Sequence, residues 1–209
     1  REEELVRKNE RLEEFSSVVS HDLRNPLQVA QGRLELLDDE VDSDHVDDLR
    51  GALDRMGSLI DDLLTIAREG EDAMEFEPVA IESAAREAWA TVETDTASLV
   101  VDAEGELEAD RDQLRQLFEN LFGNAVEYAG PDCTVTVGEL PDGFSVADDG
   151  PGVPNDERDQ VFEPGYSTGS AGTGFGLNIV RSVVEAHDWR ITLSEGDDGG
   201  ARFEITGVA

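Results

Sequence analysis

The chain has 209 residues, with 50 Asp plus Glu against 16 Lys plus Arg, a formal charge of -34 and Lys8 as its only lysine. Such a surface repels nucleic acid and anionic membranes, no apolar run reaches the length of a membrane span, and a single cysteine, Cys133, excludes an internal disulfide and fits a reducing cytoplasm. Hydrophobic residues at 38%, spread through periodic patterns, argue for an acid-rich fold of one to two domains rather than a disordered chain. It begins with Arg and is expected to be a piece of a longer protein.

Residues 1–14 carry Leu5 and Leu12 a heptad before Val19, which predicts an entering helix continuous with the next element. Phe15, Val19, Leu23, Leu27, Ala30, Leu34 and Leu37 then recur in steps of three or four, one stripe of an amphipathic helix. His21 lies about 200° round from Val19, on the polar face with Arg24, Asn25 and Gln28. A core needs no histidine there. Asp22 beside it can hold a proton from one ring nitrogen and leave the other free to attack an electrophile. Pro26 loosens the helix one turn later. The acidic stretch at 38–44 reads as a turn, with Ser43 or Asp44 able to cap a second helix whose seam is Val46, Leu49, Leu53, Met56, Ile60, Leu63 and Ala67. Such a hairpin, over 15–70, buries its stripes most simply against its own copy, as a dimeric four-helix bundle.

A polar linker at 71–75 leads into a second domain over 76–209. Expected there are a strand at 76–79, a helix at 81–92, a weak strand pair at 98–102 and 106–109, and a helix from the capping Asp110 to about Tyr128. A hairpin around Pro141-Asp142-Gly143, a glycine-rich stretch at 150–174, a helix at about 175–187 and two final strands complete it. Antiparallel strands with inserted helices give an α+β chain overall, whose second domain is an α/β two-layer sandwich.

Three segments carry polar groups that such a core would not demand. In E-N-L-F-G-N-A-V-E-Y, Asn120 and Asn124 stand one turn apart, off the Leu117, Leu121 and Ala125 stripe, and Asn oxygen suits Mg²⁺ shared with phosphate. In V-A-D-D-G-P-G-V, a strand ends at Asp148, able to accept from an exocyclic amine, with Gly150 and Gly152 letting backbone approach a ring. In G-T-G-F-G-L-N-I-V, Gly172, Gly174 and Gly176 open a helix whose N-terminal NH groups favour phosphate. No strand directly precedes this repeat, which excludes a Rossmann reading.

The H-D-x-x-N-P spacing from His21 to Pro26 resembles the phosphoacceptor box of the sensor histidine kinases of two-component systems. The three later segments, with V-F-E-P-G-Y-S-T between the second and third, resemble the N, G1, F and G2 boxes of the Bergerat-type ATPase fold of those kinases. The resemblance implies ATP and Mg²⁺ as cofactors, with Asn124 and Glu119 at the metal. It implies an ATP site of Asn120, Asn124, Tyr128, Asp148 (reading adenine), Gly150, Gly152, Phe162 (anchoring a mobile lid), Ser167, Thr168, Gly172, Thr173, Gly174, Gly176 and Leu177. His21 would accept the γ-phosphoryl group with Asp22 as base, and Asn25 would orient water when a phosphorylated partner is dephosphorylated. The implied partners are a second copy, a response regulator receiver domain and an upstream sensor module. Gyrase and chaperone ATPases share the ATP boxes but have no use for the helical hairpin. The chain departs from the family where a basic residue commonly follows the N box: it has Glu127, and no Lys or Arg between Arg158 and Arg181. That departure supports the alternative, a catalytically degenerate dimeric scaffold. The lysine-poor, acid-rich composition resembles proteins of salt-loving archaea.

Overall fold

The structure, a computed structural model, describes residues 74–92, 94, 96–163, 166, 174–197 and 199–208, and before them 27–30, 32–34, 49, 52–53 and 56–57. The chain divides into two compact units, Arg1–Asp72 and Ala73–Ala209, so the division falls inside the polar stretch 71–75.

In the first unit every described residue is helical. Leu27 and Leu34, a heptad apart on the expected stripe, are buried, and a Cβ on Gly57 would meet Leu27 Cδ2 at 3.5 Å, so the two helical stretches pack against each other. Leu49 and Met56, from the second seam, remain 54% and 45% exposed. His21, Asp22 and Asn25 lie outside the described residues, as do the heptad at 1–14 and the turn at 38–44.

The second unit runs β1 (Phe76–Ala80), α1 (Ile81–Trp89), β2 (Ser98–Asp102), β3 (Glu106–Asp110), α2 (Arg111–Ala129), β4 (Thr134–Leu140), β5 (Gly143–Asp148), a 3₁₀ turn (Gln160–Phe162), α3 (Gly176–Ala186), β6 (Arg190–Glu195) and β7 (Ala201–Thr206). β1 and β3 form an antiparallel pair, and the other five strands make one sheet in the order β2-β4-β5-β7-β6.

The expected pairing of 98–102 with 106–109 is therefore corrected: β2 lies parallel to β4, Ser98 opposite Thr134, while β3 lies antiparallel to β1, Phe76 opposite Asp110. The physical reason is that Ala103-Glu104-Gly105 does not close a hairpin; the Gly105 carbonyl instead accepts from Ile81 N at 3.1 Å and starts α1. One parallel pair also makes the sheet mixed rather than antiparallel. The helix expected to reach Val92 ends at Trp89 and tightens, with Thr91 N donating to Ala88 O and Val92 N to Trp89 O. β-Branched Thr91 and Val92 lose rotamer freedom in a helix and favour this stop.

Asp110 caps α2 as expected, its Oδ1 accepting from Gln113 N at 3.1 Å. The core forms where α2 lies on the sheet. Leu114, Leu117, Phe118, Leu121, Phe122 and Ala125 are buried on one face of that helix. Phe118 stacks on Phe122 at 5.4 Å and meets Phe144 of the central strand β5 at 5.2 Å. Each buried aromatic of this kind contributes roughly 1.5–3 kcal/mol by burial, and together they fix which edge of α2 faces away from the sheet.

Candidate functional site

That outer edge of α2 carries Asn120 and Asn124. Asn120 Nδ2 donates back to Gln116 O at 2.9 Å, which locks its rotamer and presents Oδ1 toward the start of α3. A Cβ added to Gly176 would stand 3.0 Å from Asn120 Oδ1 and 3.5 and 3.7 Å from the two amide atoms of Asn124. Only glycine lets the first residue of α3 come this close. The Nδ2 of Asn124 is buried with no hydrogen-bond partner. A buried unsatisfied amide costs about 1–3 kcal/mol, and a half-turn of the carboxamide, which interchanges O and N, puts a hard oxygen in the same place. The donor set thus fits a Mg²⁺ ion held by one carboxamide oxygen and by ligand phosphates. Among the described residues no cluster of three or more His, Cys, Asp or Glu is suited to a metal.

Glu119, expected beside Asn124 at the metal, is not brought there. Its Oε1 accepts from Arg115 Nη1 at 3.2 Å and from Thr91 Oγ1 at 3.1 Å, on the side of α2 that meets the end of α1. At 100° per residue, Glu119 and Asn124 point about 140° apart. Tyr128, one turn beyond Asn124, is 40% exposed.

Asp148 ends β5 opposite Val135. Its Oδ1 accepts from Gly150 N at 2.9 Å and from Ala201 N at 3.2 Å. Both bonds use one oxygen, which fixes the carboxylate and leaves Oδ2 as the atom to accept from a ring amine. Burial pushes its carboxyl above the usual carboxylate range, the NH groups of Gly150 and Ala201 pull it down, and neighbouring Asp149 adds to the rise. Gly150 is wedged against Ala129 at the end of α2, where a Cβ would collide with that residue's own Cβ. Gly152 has φ 69°, and a Cβ there would meet Gly199 O at 2.7 Å, so this turn requires glycine twice over.

The β6–β7 turn, outside the three polar segments of the sequence, supplies the floor. Gly200 fits under Asp148 because it has no side chain: a Cβ would overlap the Asp148 carbonyl. The glycine pair at 199–200 was the signal that could have marked it.

Phe162 closes the 3₁₀ turn, with Val161 buried beside it, and meets Phe203 of β7 edge-on at 6.4 Å. The end of the 3₁₀ turn is thereby pinned to the sheet. Just beyond, the Tyr166 hydroxyl donates to Glu157 Oε2 at 2.8 Å, and that bond raises the phenol above its usual range. Ser167, Thr168, Gly172 and Thr173 lie outside the described residues. Gly174, at φ 74°, turns the chain into α3, and Leu177 stands in its first turn. Phe175, at the cap position, offers no side-chain cap bond to the helix. Asn120, Asn124 and the start of α3 thus share one junction, while Asp148, Gly150 and Gly152 share another at the far end of α2.

Residues 109–207 match the family described as the histidine kinase-, DNA gyrase B- and HSP90-like ATPase, and residues 11–72 match the His Kinase A (phospho-acceptor) domain. The signal transduction histidine-protein kinase BaeS of Escherichia coli (strain K12) is 29% identical over 96% of this chain and 48% of its own length. The sensor histidine kinase ZraS of Klebsiella oxytoca is 30% identical over 97% of this chain and 46% of its own length. Among solved structures, full-length ShkA in complex with AMPPNP is similar with a TM-score of 0.66 and 30% identity, covering 94% of this chain and 46% of that one. The chain therefore spans about half the length of the curated relatives it matches. No helix among the described residues is long and apolar enough to cross a membrane.

Proposed function

We propose that the chain is a protein histidine kinase that binds ATP with Mg²⁺ in this cleft, phosphorylates His21 and passes the phosphoryl group to an aspartate of a response regulator receiver domain. The observation that carries this is the buried, unpartnered amide of Asn124 facing Gly176, a polar group set where a metal-bound phosphate completes it.

In the proposed reaction an imidazole nitrogen of His21 attacks the γ-phosphorus, the bond to the β-phosphate oxygen breaks and ADP leaves, while Asp22 takes the ring proton. Asn124 would hold a Mg²⁺ ion, which when bound would neutralise charge on the phosphates. Asp148 Oδ2 accepts from the exocyclic amine of adenine, and Gly150 and Gly152 let the backbone lie against the ring. The NH groups at the start of α3 face the phosphates with the positive end of its dipole. Asn25 orients water for dephosphorylation of the regulator. Leu49 and Met56, exposed a heptad apart in the first unit, support pairing with a second copy. A sensor module upstream and a salt-rich host complete the reading.

Incubation with γ-labelled ATP and Mg²⁺ is expected to give an acid-labile, base-stable label that His21→Ala abolishes. Absence of label in the parent favours the scaffold reading, and a label that survives His21→Ala removes His21 from its role. Asp148→Asn is expected to keep the fold and weaken ATP binding by about 10- to 100-fold, the worth of a hydrogen bond to a charged group; normal binding by calorimetry would remove adenine from that end of the cleft.

A further inference from the structure

A cavity of about 600 Å³ lies beside the free edge of the sheet, between the 3₁₀ turn, α3 and β6. Apart from Phe162 it shares no residue with the nucleotide cleft. In a chain with 50 acidic and 16 basic residues, three arginines converge on it, Arg158, Arg181 and Arg190. They meet two acids of the lining, Asp159 and Glu185. Arg181 Nε pairs with Glu185 at 2.8 Å and Arg158 reaches Glu195 at 3.8 Å, both with a largely exposed partner. The exposed Arg181–Glu185 pair contributes little, so that guanidinium is free to exchange its carboxylate for another; Arg158 is more buried and is held through Nε on Val153 O at 2.9 Å, with Nη2 toward Glu195. The chain as a whole carries 50 acids to 16 bases, whereas here three arginines meet Asp159, Glu185 and Glu195, one acid to each base.

The shape of the lining says what kind of ligand fits. A cavity against the face of a strand is lined by alternate residues, because successive side chains point to opposite sides. Here Trp189, Arg190, Ile191, Thr192 and Leu193 line it without a gap. The cavity therefore borders the edge of β6, not its face. Among the described residues β6 pairs with β7 alone, so its outer backbone groups present a row of donors and acceptors, a template for another strand.

We propose that this edge receives an extended, acidic peptide segment of a partner protein, which adds as a strand beside β6 with its carboxylates on Arg158, Arg181 and Arg190. The backbone bonds supply the strand register, and the arginines select acid. An occupant there touches Phe162 and α3 together, and so bears on the pinned end of the 3₁₀ turn and on the helix that begins at Gly176.

The test uses the whole chain and labelled eight-residue peptides read by fluorescence anisotropy: acetyl-(Val-Glu)₄-amide, its Val-Lys counterpart, and the Val-Glu peptide N-methylated at alternate residues, in both phases. The Val-Glu peptide is expected to bind, the Val-Lys peptide and one of the two N-methylated peptides at least tenfold more weakly. Arg181→Glu with Arg190→Glu, both on exposed residues, is expected to weaken the Val-Glu peptide at least tenfold while thermal melting and ATP binding are retained. Failure of the Val-Glu peptide to bind, equal binding of the Val-Lys peptide, binding indifferent to N-methylation in either phase, or binding unchanged in the double variant would each overturn the proposal.

Discussion

The two ends of α3 are built on opposite principles. At its start, Gly174 and Gly176 replace side chains with space, no side chain caps the helix, and beside Asn120 the neighbouring Asn124 has a buried Nδ2 without a partner. At its end everything is matched. Asp188, in the left-handed region at φ 57°, turns the chain so that Trp189 N donates to Val184 O and Asp188 N to Glu185 O, a Schellman closure made without glycine. His187 is buried, its Nδ1 on Val183 O at 2.8 Å and its Nε2 accepting from Asp110 N at 3.1 Å, with the Trp189 ring tilted against it at 4.2 Å and Phe76 edge-on at 5.3 Å. One end is left polar and incomplete, and the other is closed by the protein's own groups. Within a single helix, the unsatisfied terminus marks where a ligand belongs and the satisfied one marks where the fold is held.

Substitutions at each end should separate binding from stability. Gly176→Leu is expected to have the largest effect on binding: its Cβ alone comes within 3.0 Å of Asn120 Oδ1, so nucleotide titration should show no saturation, with stability lowered by about 1–3 kcal/mol from overpacking. Normal ATP affinity in that variant would break the comparison. Asn124→Ala is expected to lower Mg²⁺-dependent affinity by about 10- to 100-fold with melting unchanged or slightly improved, because the orphaned amide is removed. At the other end His187→Ala should leave ATP affinity alone and cost about 1–3 kcal/mol of unfolding free energy, the penalty for stranding the Asp110 NH. A parallel loss of affinity would show that the two ends are not independent.

The same histidine gives a pH signature. Burial lowers its pKa below the ordinary value, the Val183 carbonyl and the Asp110 carboxylate pull it back up, and the bond from Asp110 N requires the neutral ring. The unfolded chain therefore binds the proton more readily. Stability from this residue is fully present above the unfolded value of about 6.5 and is lost as pH falls through the folded one. Denaturant melts from neutral pH downward should show this slope in the parent and a flatter one in His187→Gln. Raised Asp148 acts with the opposite sign, favouring the folded state as its carboxyl takes a proton at lower pH. The smallest effect concerns Glu127, one turn beyond Asn124 on α2: Glu127→Lys should improve ATP affinity in dilute buffer and change little in molar salt, where the Debye length is about 3 Å. An equal effect at all salts would put Glu127 away from the phosphates.

What the sequence disclosed, it disclosed through local spacing. Asp110 before an apolar run announced a helix start, and Asn120 and Asn124 one turn apart announced a shared face. Glu119 was misread although its actual partner, Arg115, stands at the helical spacing of an ion pair. Two other features are set by residues far away along the chain. The partner of β2 is β4 rather than its neighbour β3, because Gly105 spends its carbonyl on α1. Asp148 is fixed by Ala201, 53 positions later. Neither has a local periodicity to betray it.

Asp110 has a practical consequence for where the chain can be cut. Besides capping α2 with Oδ1 and bonding His187 through its NH, it accepts Glu75 N on Oδ2 at 3.2 Å. The last residue of the linker is thus tied to the start of the helix that bears the asparagines. A recombinant fragment trimmed to the matched span 109–207 would discard β1 and α1, stripping Trp89 from Phe122 and Phe76 from His187. An expression boundary at Ala73 keeps every one of these ties, and one at Glu77 severs two of them while removing only four residues more.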